Sequence, residues 1–170
     1  ASLFTPRAIF YRHEKGLHAQ KISVAVVVQK MVESEVSGIA FSVHPVTEDR
    51  NQMIIEAGLG LGEAIVGGVI TPDSYVVEKR PRRILDKNVA VQSYCLIRAN
   101  KQINGERNRK VEVSKEKGGR QKLSDKQILE LSELILKIEK HYGFPCDIEW
   151  ALHGGKFYIL QSRPITTLSK

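Results

Sequence analysis

The sequence has few cysteines, few aromatic residues and no long apolar run, and these shortages exclude whole classes of protein. Its two cysteines, Cys95 and Cys146, form no CxxC pair, so neither a zinc cage nor a disulfide framework organises the fold. The longest uninterrupted aliphatic run, Val24 to Val28, has only five residues, too few for a helix that spans a bilayer. A reduced, cytoplasmic compartment is the simplest expectation for such a chain.

What is present is the composition of an ordinary globular protein, with 42% apolar and 26% charged residues. At 170 residues we expect a single domain, residues 1–170, that buries roughly 70% of the surface exposed by the unfolded chain. The chain starts at Ala1 and shows no basic stretch followed by an apolar one, so no signal peptide is predicted. A processed or excised piece of a longer protein fits this start at least as well.

The positive charge is concentrated in one segment. Twenty-six Lys and Arg against 19 Asp and Glu give +7, and nine basic and three acidic residues between Arg98 and Lys122 account for +6 of it. Because Lys and Arg displace counterions from phosphates, an RNA-binding module that uses Arg107, Arg109 and Lys110 is one interpretation. The segment has no aromatic residue to stack on a base, which favours a solvated basic hairpin or loop instead.

Short β-branched and apolar runs predict a mostly antiparallel sheet. The clearest strand is Ile22 to Val32, whose near-continuous apolarity indicates burial on both faces. Further strands are predicted over residues 38–43, 52–57, 74–79, 83–85, 91–97, 111–114, 147–152 and 157–162.

One long helix is predicted from Asp125 to Tyr142. Ser124 and Gln127 form a capping-box pair at its start, and Gly143 ends it. Residues 1–12 are interpreted as the tail of a helix that begins upstream. Together these elements predict an α+β fold, a mostly antiparallel sheet with helices packed on one face.

Five of the 13 glycines fall between Gly58 and Gly68. This cluster lacks the Lys-Ser/Thr ending of a P-loop, and its spacing does not give GxGxxG. Phosphate contact is one interpretation, and a tight loop or a close packing contact between chain segments is the other.

The last predicted hairpin carries polar residues on otherwise apolar strands. A two-residue turn at Gly154 and Gly155 would pair Glu149 with Leu160, whereas a three-residue loop would set Glu149 opposite Gln161. In the second register a carboxylate and an amide oxygen lie together, with Arg163 further along the same face. Such a set suits Mg²⁺ bound to phosphate. A Glu–Arg surface pair at a sheet edge is the alternative.

Several motifs, in this order, resemble those of the phosphoenolpyruvate synthase and pyruvate phosphate dikinase family, in its ATP-binding domain. The segment Ala1–Ala8 is similar to the family's preceding segment, and the resemblance covers essentially all of the chain. The motifs are Val28-Gln29-Lys30-Met31-Val32, Ser37-Gly38-Ile39-Ala40-Phe41-Ser42, Gly60-Leu61-Gly62-Glu63-Ala64, Thr71-Pro72-Asp73-Ser74-Tyr75, and Ile148-Glu149-Trp150 with Leu160-Gln161-Ser162-Arg163-Pro164-Ile165-Thr166.

The resemblance implies an ATP-grasp fold, in which two lobes hold ATP between them, and this chain is similar to the C-terminal lobe. Glu149 and Gln161 match the family's metal and nucleotide ligands. Arg163 matches its phosphate-binding arginine, to which the resemblance gives the catalytic role.

Other positions match the family's nucleotide contacts. Gln29 matches the residue at the adenine-binding hinge, with Met31 and Val32 beside it. Ser37 and Gly38 match a position near the phosphates. The implied cofactor set is Mg²⁺ with ATP as substrate, and neither a nucleic acid nor a membrane is an implied partner.

The resemblance also implies partner domains that this chain does not contain. These are the N-terminal ATP-grasp lobe, a phosphohistidine domain and an acceptor-binding domain, and none of the five histidines here lies in the family's Thr-Ser-His motif. The implied reaction transfers a phosphoryl group from Mg-ATP to that histidine and then to pyruvate. Rifampin phosphotransferase or another dikinase, such as a glucan dikinase, remains an alternative, because the absent domains choose the acceptor.

Overall fold

The computed structural model describes residues 2–17, 20–103 and 106–168. It divides the chain into two compact units, Ala1–Met31 and Val32–Lys170. The expectation of one domain over residues 1–170 stays a prediction. Among the described residues, no helix has the length and apolarity needed to cross a membrane.

The first unit contains a 3-10 turn, Ser2–Phe4, and helix α1, Pro6–Glu14. Thr5 caps this helix by accepting a hydrogen bond from the backbone N–H of Ala8, and Pro6 occupies the first helical turn. Proline fits there because its missing N–H would have no intrahelical partner. The prediction that residues 1–12 are the tail of an upstream helix is therefore wrong, since the helix begins at Pro6.

The predicted strand from Ile22 to Val32 is also wrong. Residues 21–34 contain no regular secondary structure, and the side chains of Val26, Val27 and Val28 are 81, 84 and 95% exposed. An apolar, β-branched run indicates a strand only where another strand pairs with its backbone. Among the described residues, no strand pairs with this segment.

The second unit is built on a six-stranded antiparallel sheet in the order β4-β3-β2-β1-β7-β8, with a separate two-stranded sheet, β5-β6. Helices α2 (Glu63–Val66) and α3 (Lys115–Gly118) are short. The strands are β1 Val36–Phe41, β2 Gln52–Leu59, β3 Asp73–Glu78, β4 Arg83–Asn88, β5 Tyr94–Ile103, β6 Glu106–Glu112, β7 Cys146–His153 and β8 Lys156–Pro164.

Helix α4, Asp125–Tyr142, covers one face of the large sheet and was predicted to the residue. Its capping box between Ser124 and Gln127 is formed, and Gly143 ends it in the left-handed conformation, with φ of 75°. The α+β prediction is confirmed. The core between α4 and the sheet contains, among others, Met53, Ile55, Tyr75, Val77, Leu123, Ile128, Leu131, Ile135, Ile148 and Trp150.

A buried ion pair joins β3 to the segment before α4. The Lys122 ammonium lies 2.9 Å from Asp73, and neither side chain is exposed. Asp73 also accepts hydrogen bonds from the Tyr75 hydroxyl at 2.6 Å and from the backbone N–H of Ala90 at 3.0 Å. Because a buried charge is costly without partners, these contacts hold the two segments together.

Candidate functional site

The side of the large sheet that faces away from α4 carries the predicted ligands. On β7 and β8, Glu149 lies directly opposite Gln161. The turn has two residues, Gly154 and Gly155, with φ of 56° and 75°, which is the conformation that short hairpins favour. A β-bulge then shifts the register by one residue and leaves Leu160 as the extra residue of β8. The first predicted alternative was right about the two-residue turn, and the second was right about the pairing of Glu149 with Gln161.

The next row of the same face contains an ion pair. Asp147 lies opposite Arg163, and one carboxylate oxygen, Oδ2, accepts a hydrogen bond from Nε of the guanidinium at 2.8 Å and forms an ion pair with Nη2 at 2.7 Å. The arginine side chain is 62% exposed and the aspartate side chain 11%. The other aspartate oxygen, Oδ1, is buried and has no hydrogen-bond partner among the described residues. This pair orients the guanidinium, and Oδ1 remains a buried acceptor without a partner among the described residues.

A second glutamate lies on this face. Ile39 on β1 pairs with Glu149 on one side and with Glu56 of β2 on the other. Burial raises the pKa of Glu56 above its ordinary value, and the negative charge of Asp147 raises that pKa further. Glu149, Glu56 and Asp147 therefore share one face of the sheet, with Ile39 between the two glutamates.

Ser37 and Gly38, predicted to lie near the phosphates, have packing contacts here. The Ser37 hydroxyl donates a 2.6 Å hydrogen bond to the carbonyl of Gly60, in the glycine cluster. A Cβ on Gly38 would lie 1.8 Å from the carbonyl oxygen of Glu56 and 2.8 Å from the Trp150 ring. Glycine is therefore required there by the close approach of β2, and a nucleotide contact by either residue stays a prediction.

The predicted hinge residues are divided between the two units. Gln29 and Met31 lie in the segment without regular structure that ends the first unit, and both are exposed. Val32 begins the second unit and is partly buried. Their role at the adenine stays a prediction.

The glycine cluster forms the contact between β2 and the small sheet. Gly60 has a φ of 86° and forms a bridge with Leu96 of β5. A Cβ at this position would lie 2.4 Å from the Leu96 carbonyl oxygen. In the cluster, Glu63 also accepts a hydrogen bond from the Asn108 side chain of β6. These contacts support the packing interpretation of the cluster, and phosphate contact stays a prediction.

The basic segment forms the predicted hairpin, β5 with β6, although residues 104 and 105 and the side chain of Arg107 lie outside what the structure describes. Two cations on the strands of this hairpin make internal contacts. Arg98 forms an ion pair with Glu33 at 2.9 Å, and the Lys110 ammonium lies 3.5 Å from the centre of the Tyr94 ring. Part of the charge in this segment thus holds the hairpin in place.

The full chain, residues 1–170, matches the model of the pyruvate phosphate dikinase AMP/ATP-binding domain. The chain belongs to this family. A probable phosphoenolpyruvate synthase of Archaeoglobus fulgidus is 50% identical over 99% of the chain and 22% of that protein. The corresponding figures are 48%, 100% and 14% for a probable phosphoenolpyruvate synthase of Methanocaldococcus jannaschii, and 40%, 99% and 19% for a rifampicin phosphotransferase of Bacillus subtilis. The chain thus spans at most about a fifth of the length of these relatives.

In this member of the pyruvate phosphate dikinase family, Mg²⁺ would be held by mixed oxygen donors. Among the described residues, no three or more His, Cys, Asp or Glu residues are grouped as metal ligands. The donors that fit Mg²⁺ are the Glu149 carboxylate and the Gln161 amide oxygen, which lie opposite each other on β7 and β8. Such a set fits a cation that completes its shell with phosphate oxygens and water.

Two residues of this face, Asp147 and Glu56, were not among the predicted site residues. A signal for Asp147 was present in the sequence, because alternation places it two residues before Glu149 on the same face. The signal for Glu56 was a single acid within the apolar run Met53–Ala57. An acid on the core side of a strand would give the same sequence pattern. Only the register of β2 against β1 shows that Glu56 lies on the face of Glu149.

Proposed function

We propose that this chain is the C-terminal lobe of an ATP-grasp domain in a phosphoenolpyruvate synthase-type phosphotransferase. The complete protein would act in the cytoplasm and convert ATP, pyruvate and water to AMP, phosphate and phosphoenolpyruvate. A histidine on another domain would carry the β-phosphoryl group between ATP and pyruvate. The family match and the phosphoenolpyruvate synthases among the relatives support this proposal. By itself, the 170-residue chain is expected to be inactive.

The observation that carries the proposal is the pairing of Glu149 with Gln161, with the Arg163–Asp147 pair in the next row. When bound at this face, Mg²⁺ would supply positive charge that offsets the charge of the phosphates. Glu149 and Gln161 would hold the ion through oxygen atoms on adjacent strands. Both residues lie on paired strands rather than on loops, so the backbone holds the positions of their side chains more precisely.

Arg163 is the residue proposed to act on the transferring group. Asp147 engages Nε and one terminal nitrogen through a single oxygen, so the other N–H groups remain for phosphate oxygens. A guanidinium held in this way needs little reorganisation as negative charge develops on the transferring phosphoryl group. The adenine would lie at the hinge residues Gln29, Met31 and Val32, and Ser37 and Gly38 would lie near the phosphates.

A second candidate differs only in the acceptor. The rifampicin phosphotransferase of Bacillus subtilis is 40% identical over 99% of the chain, so the same lobe serves a differently named enzyme. Product analysis of the full-length protein with Mg-ATP and either pyruvate or rifampicin distinguishes the two. Formation of phosphoenolpyruvate from pyruvate, without phosphorylation of rifampicin, supports the first candidate. The reverse result supports the second.

The metal role of Glu149 is tested in the full-length protein. We expect Glu149→Ala to lower turnover by about a hundredfold or more, because the variant loses a ligand of the Mg²⁺ that neutralises the phosphates. Glu149→Gln should retain some activity and need more Mg²⁺ for half-maximal rate. Glu130→Ala, on the exposed side of α4, is the matched control. Near-normal activity of Glu149→Ala with an unchanged melting temperature would rule out the assignment.

A further inference from the structure

A cavity of about 660 Å³ opens on the α4 side of the large sheet. It lies between the C-terminal half of α4 and two loops, one before β2 and one after β3. Glu149 and Gln161 belong to the other face of the sheet, so this cavity is separate from the proposed nucleotide site. Its volume lies within the range of small-molecule sites, which is roughly 300–1,000 Å³.

The loop walls of the cavity are tied together by hydrogen bonds. The Asn51 side chain accepts from the backbone N–H of Arg80 at 3.1 Å and donates to the Arg80 carbonyl at 3.1 Å. The backbone N–H of Lys79 donates to the Asn51 carbonyl at 2.7 Å. Asp49 accepts from the backbone N–H of Asn51 at 2.8 Å. The backbone that carries the cavity's cations is therefore held in place before any ligand binds.

The cavity has an excess of positive charge. Lys79, Arg80, Arg50 and Lys140 line it together with one carboxylate, that of Glu139, which gives a formal charge of +3. The Lys79 ammonium contacts both Glu139 oxygens, at 2.8 and 3.0 Å, and its side chain is only 10% exposed. This pair uses up the one carboxylate that lines the cavity.

Three cations therefore remain without an anionic partner. Among the described residues, the side chains of Arg50, Arg80 and Lys140 form no ion pair of 4.0 Å or less. Arg82, close in sequence to Arg80, does have such a partner, Glu133 at 3.5 Å. Like charges around one cavity repel, and an anion with two or more charges would relieve that repulsion.

We propose that this cavity binds a small phosphorylated metabolite that carries at least two negative charges. The two guanidinium groups can each fork onto phosphate oxygens, and the Lys140 ammonium adds a point charge. Leu136 supplies an apolar wall for the carbon skeleton. The unpaired charges converge on a concavity rather than spreading along a flat surface, which favours a small molecule over an acidic protein segment.

The test uses inorganic pyrophosphate as the probe, titrated calorimetrically without Mg²⁺ into the full-length protein. We expect saturable binding that weakens about tenfold or more in Arg80→Gln/Lys140→Gln, since two charge-assisted contacts are lost. Arg82→Gln should bind like the wild type, because its guanidinium is paired outside the cavity. Arg163→Gln identifies any pyrophosphate that binds at the nucleotide site.

The affinities of these variants for pyrophosphate either support or overturn the cavity site. Loss of affinity in the double variant, with retained affinity in Arg82→Gln and Arg163→Gln, supports the cavity site. The absence of saturable binding overturns it, as does equal affinity in the double variant and the wild type. Loss only in Arg163→Gln also overturns it, because the probe then binds at the nucleotide face. All four substituted cations, Arg80, Lys140, Arg82 and Arg163, are exposed, and unchanged melting temperatures would confirm that the variants fold.

Discussion

At the scale of single residues, the ion pair of Asp147 and Arg163 explains how an exposed arginine has a defined position. Arg163 is 62% exposed, yet two of its nitrogens contact one oxygen of a nearly buried carboxylate. An exposed arginine otherwise samples many rotamers, and fixing one costs up to about 2 kcal/mol of side-chain entropy. The contact with Asp147 orders the Arg163 side chain before a nucleotide binds, so we assign Asp147 a positioning role.

The first prediction concerns that positioning role. In the full-length protein, Asp147→Asn should lower kcat by about 10- to 100-fold, because the guanidinium is no longer held where charge develops. If Asp147 acts through Arg163, the double variant Asp147→Asn/Arg163→Gln should be no slower than Arg163→Gln alone. Steady-state kinetics of the three variants measure this coupling. Multiplicative losses of kcat would contradict the positioning role.

The second prediction concerns the pH dependence of stability at Glu56. Burial, followed by the charge of Asp147, raises the Glu56 pKa above 4.5. The fold therefore favours the protonated acid, and this contribution to the free energy of unfolding is lost as pH rises above 4.5 through the folded-state pKa. Glu56→Gln should become more stable relative to the wild type as pH rises. Urea unfolding between pH 4 and 8 measures the difference.

Asp125 supplies the control, because its shift has the opposite sign. Hydrogen bonds, first from Gln121 and then from Lys87, lower the Asp125 pKa below 3.8. Its contribution to stability is present above that value and is lost as pH falls through the folded-state pKa. Asp125→Asn should therefore be less stable than the wild type at neutral pH. If the difference in unfolding free energy between Glu56→Gln and the wild type did not change with pH, the raised pKa of Glu56 would be contradicted.

At the scale of elements, the contact between the glycine cluster and β5 connects the small sheet to β2. Gly60 has a positive φ and lies against the Leu96 carbonyl. Leu96 also accepts a hydrogen bond from the Leu61 backbone N–H at 2.8 Å. The position therefore combines a backbone requirement with a steric one, and a substitution there should weaken the attachment of the hairpin.

A pair of variants separates the two requirements. Gly60 and Gly68 both have positive φ, but a Cβ on Gly68 would have no atom within 4 Å. We expect Gly68→Ala to cost about 1 kcal/mol of stability through backbone strain alone. Gly60→Ala should cost about 1–3 kcal/mol more, because the added methyl group overlaps β5. Hydrogen exchange should also increase in β5 and β6 in Gly60→Ala only. Equal costs for the two variants would show that the steric contact is unimportant.

At the scale of the whole molecule, the predictions that succeeded were those that rest on local chemistry. Helix α4 was predicted to the residue, because a capping box and a terminal glycine are encoded within a few residues of each end. The mostly antiparallel character of the sheet was predicted from short apolar strands, whereas its strand order, with β1 beside β7, was not predicted. The Glu149–Gln161 pairing was one of two registers that the sequence allowed.

The predictions that failed depended on contacts between distant residues. The segment Ile22–Val32 has the composition of a strand, but a strand also requires a partner that composition does not reveal. The bulge at Leu160 combines the two-residue turn with the Glu149–Gln161 pairing, and it is visible only in the register of β8 against β7. The pairing of Asp147 with Arg163 depends in turn on that bulge. Local composition thus indicated the candidate ligands Glu149 and Gln161, whereas the register that aligns them required the folded sheet.

The last prediction follows from the size of the proposed site. In the proposed function, this lobe supplies Glu149, Gln161 and Arg163, and a second lobe covers the nucleotide from the other side. Much of a nucleotide's affinity comes from its enclosure, since a typical pocket buries 70–90% of its ligand. The isolated 170-residue chain should therefore bind Mg-ATP at least about a hundredfold more weakly than the full-length protein.

Calorimetry with Mg-ATP on both proteins measures this difference, after circular dichroism has shown that the isolated chain is folded. The Glu149→Ala variant of the isolated chain distinguishes weak binding at the proposed site from non-specific binding, because only the former requires the carboxylate. If the isolated chain binds as tightly as the full-length protein, one lobe is sufficient. The nucleotide site would then lie entirely within these 170 residues, and the two-lobe proposal would be wrong.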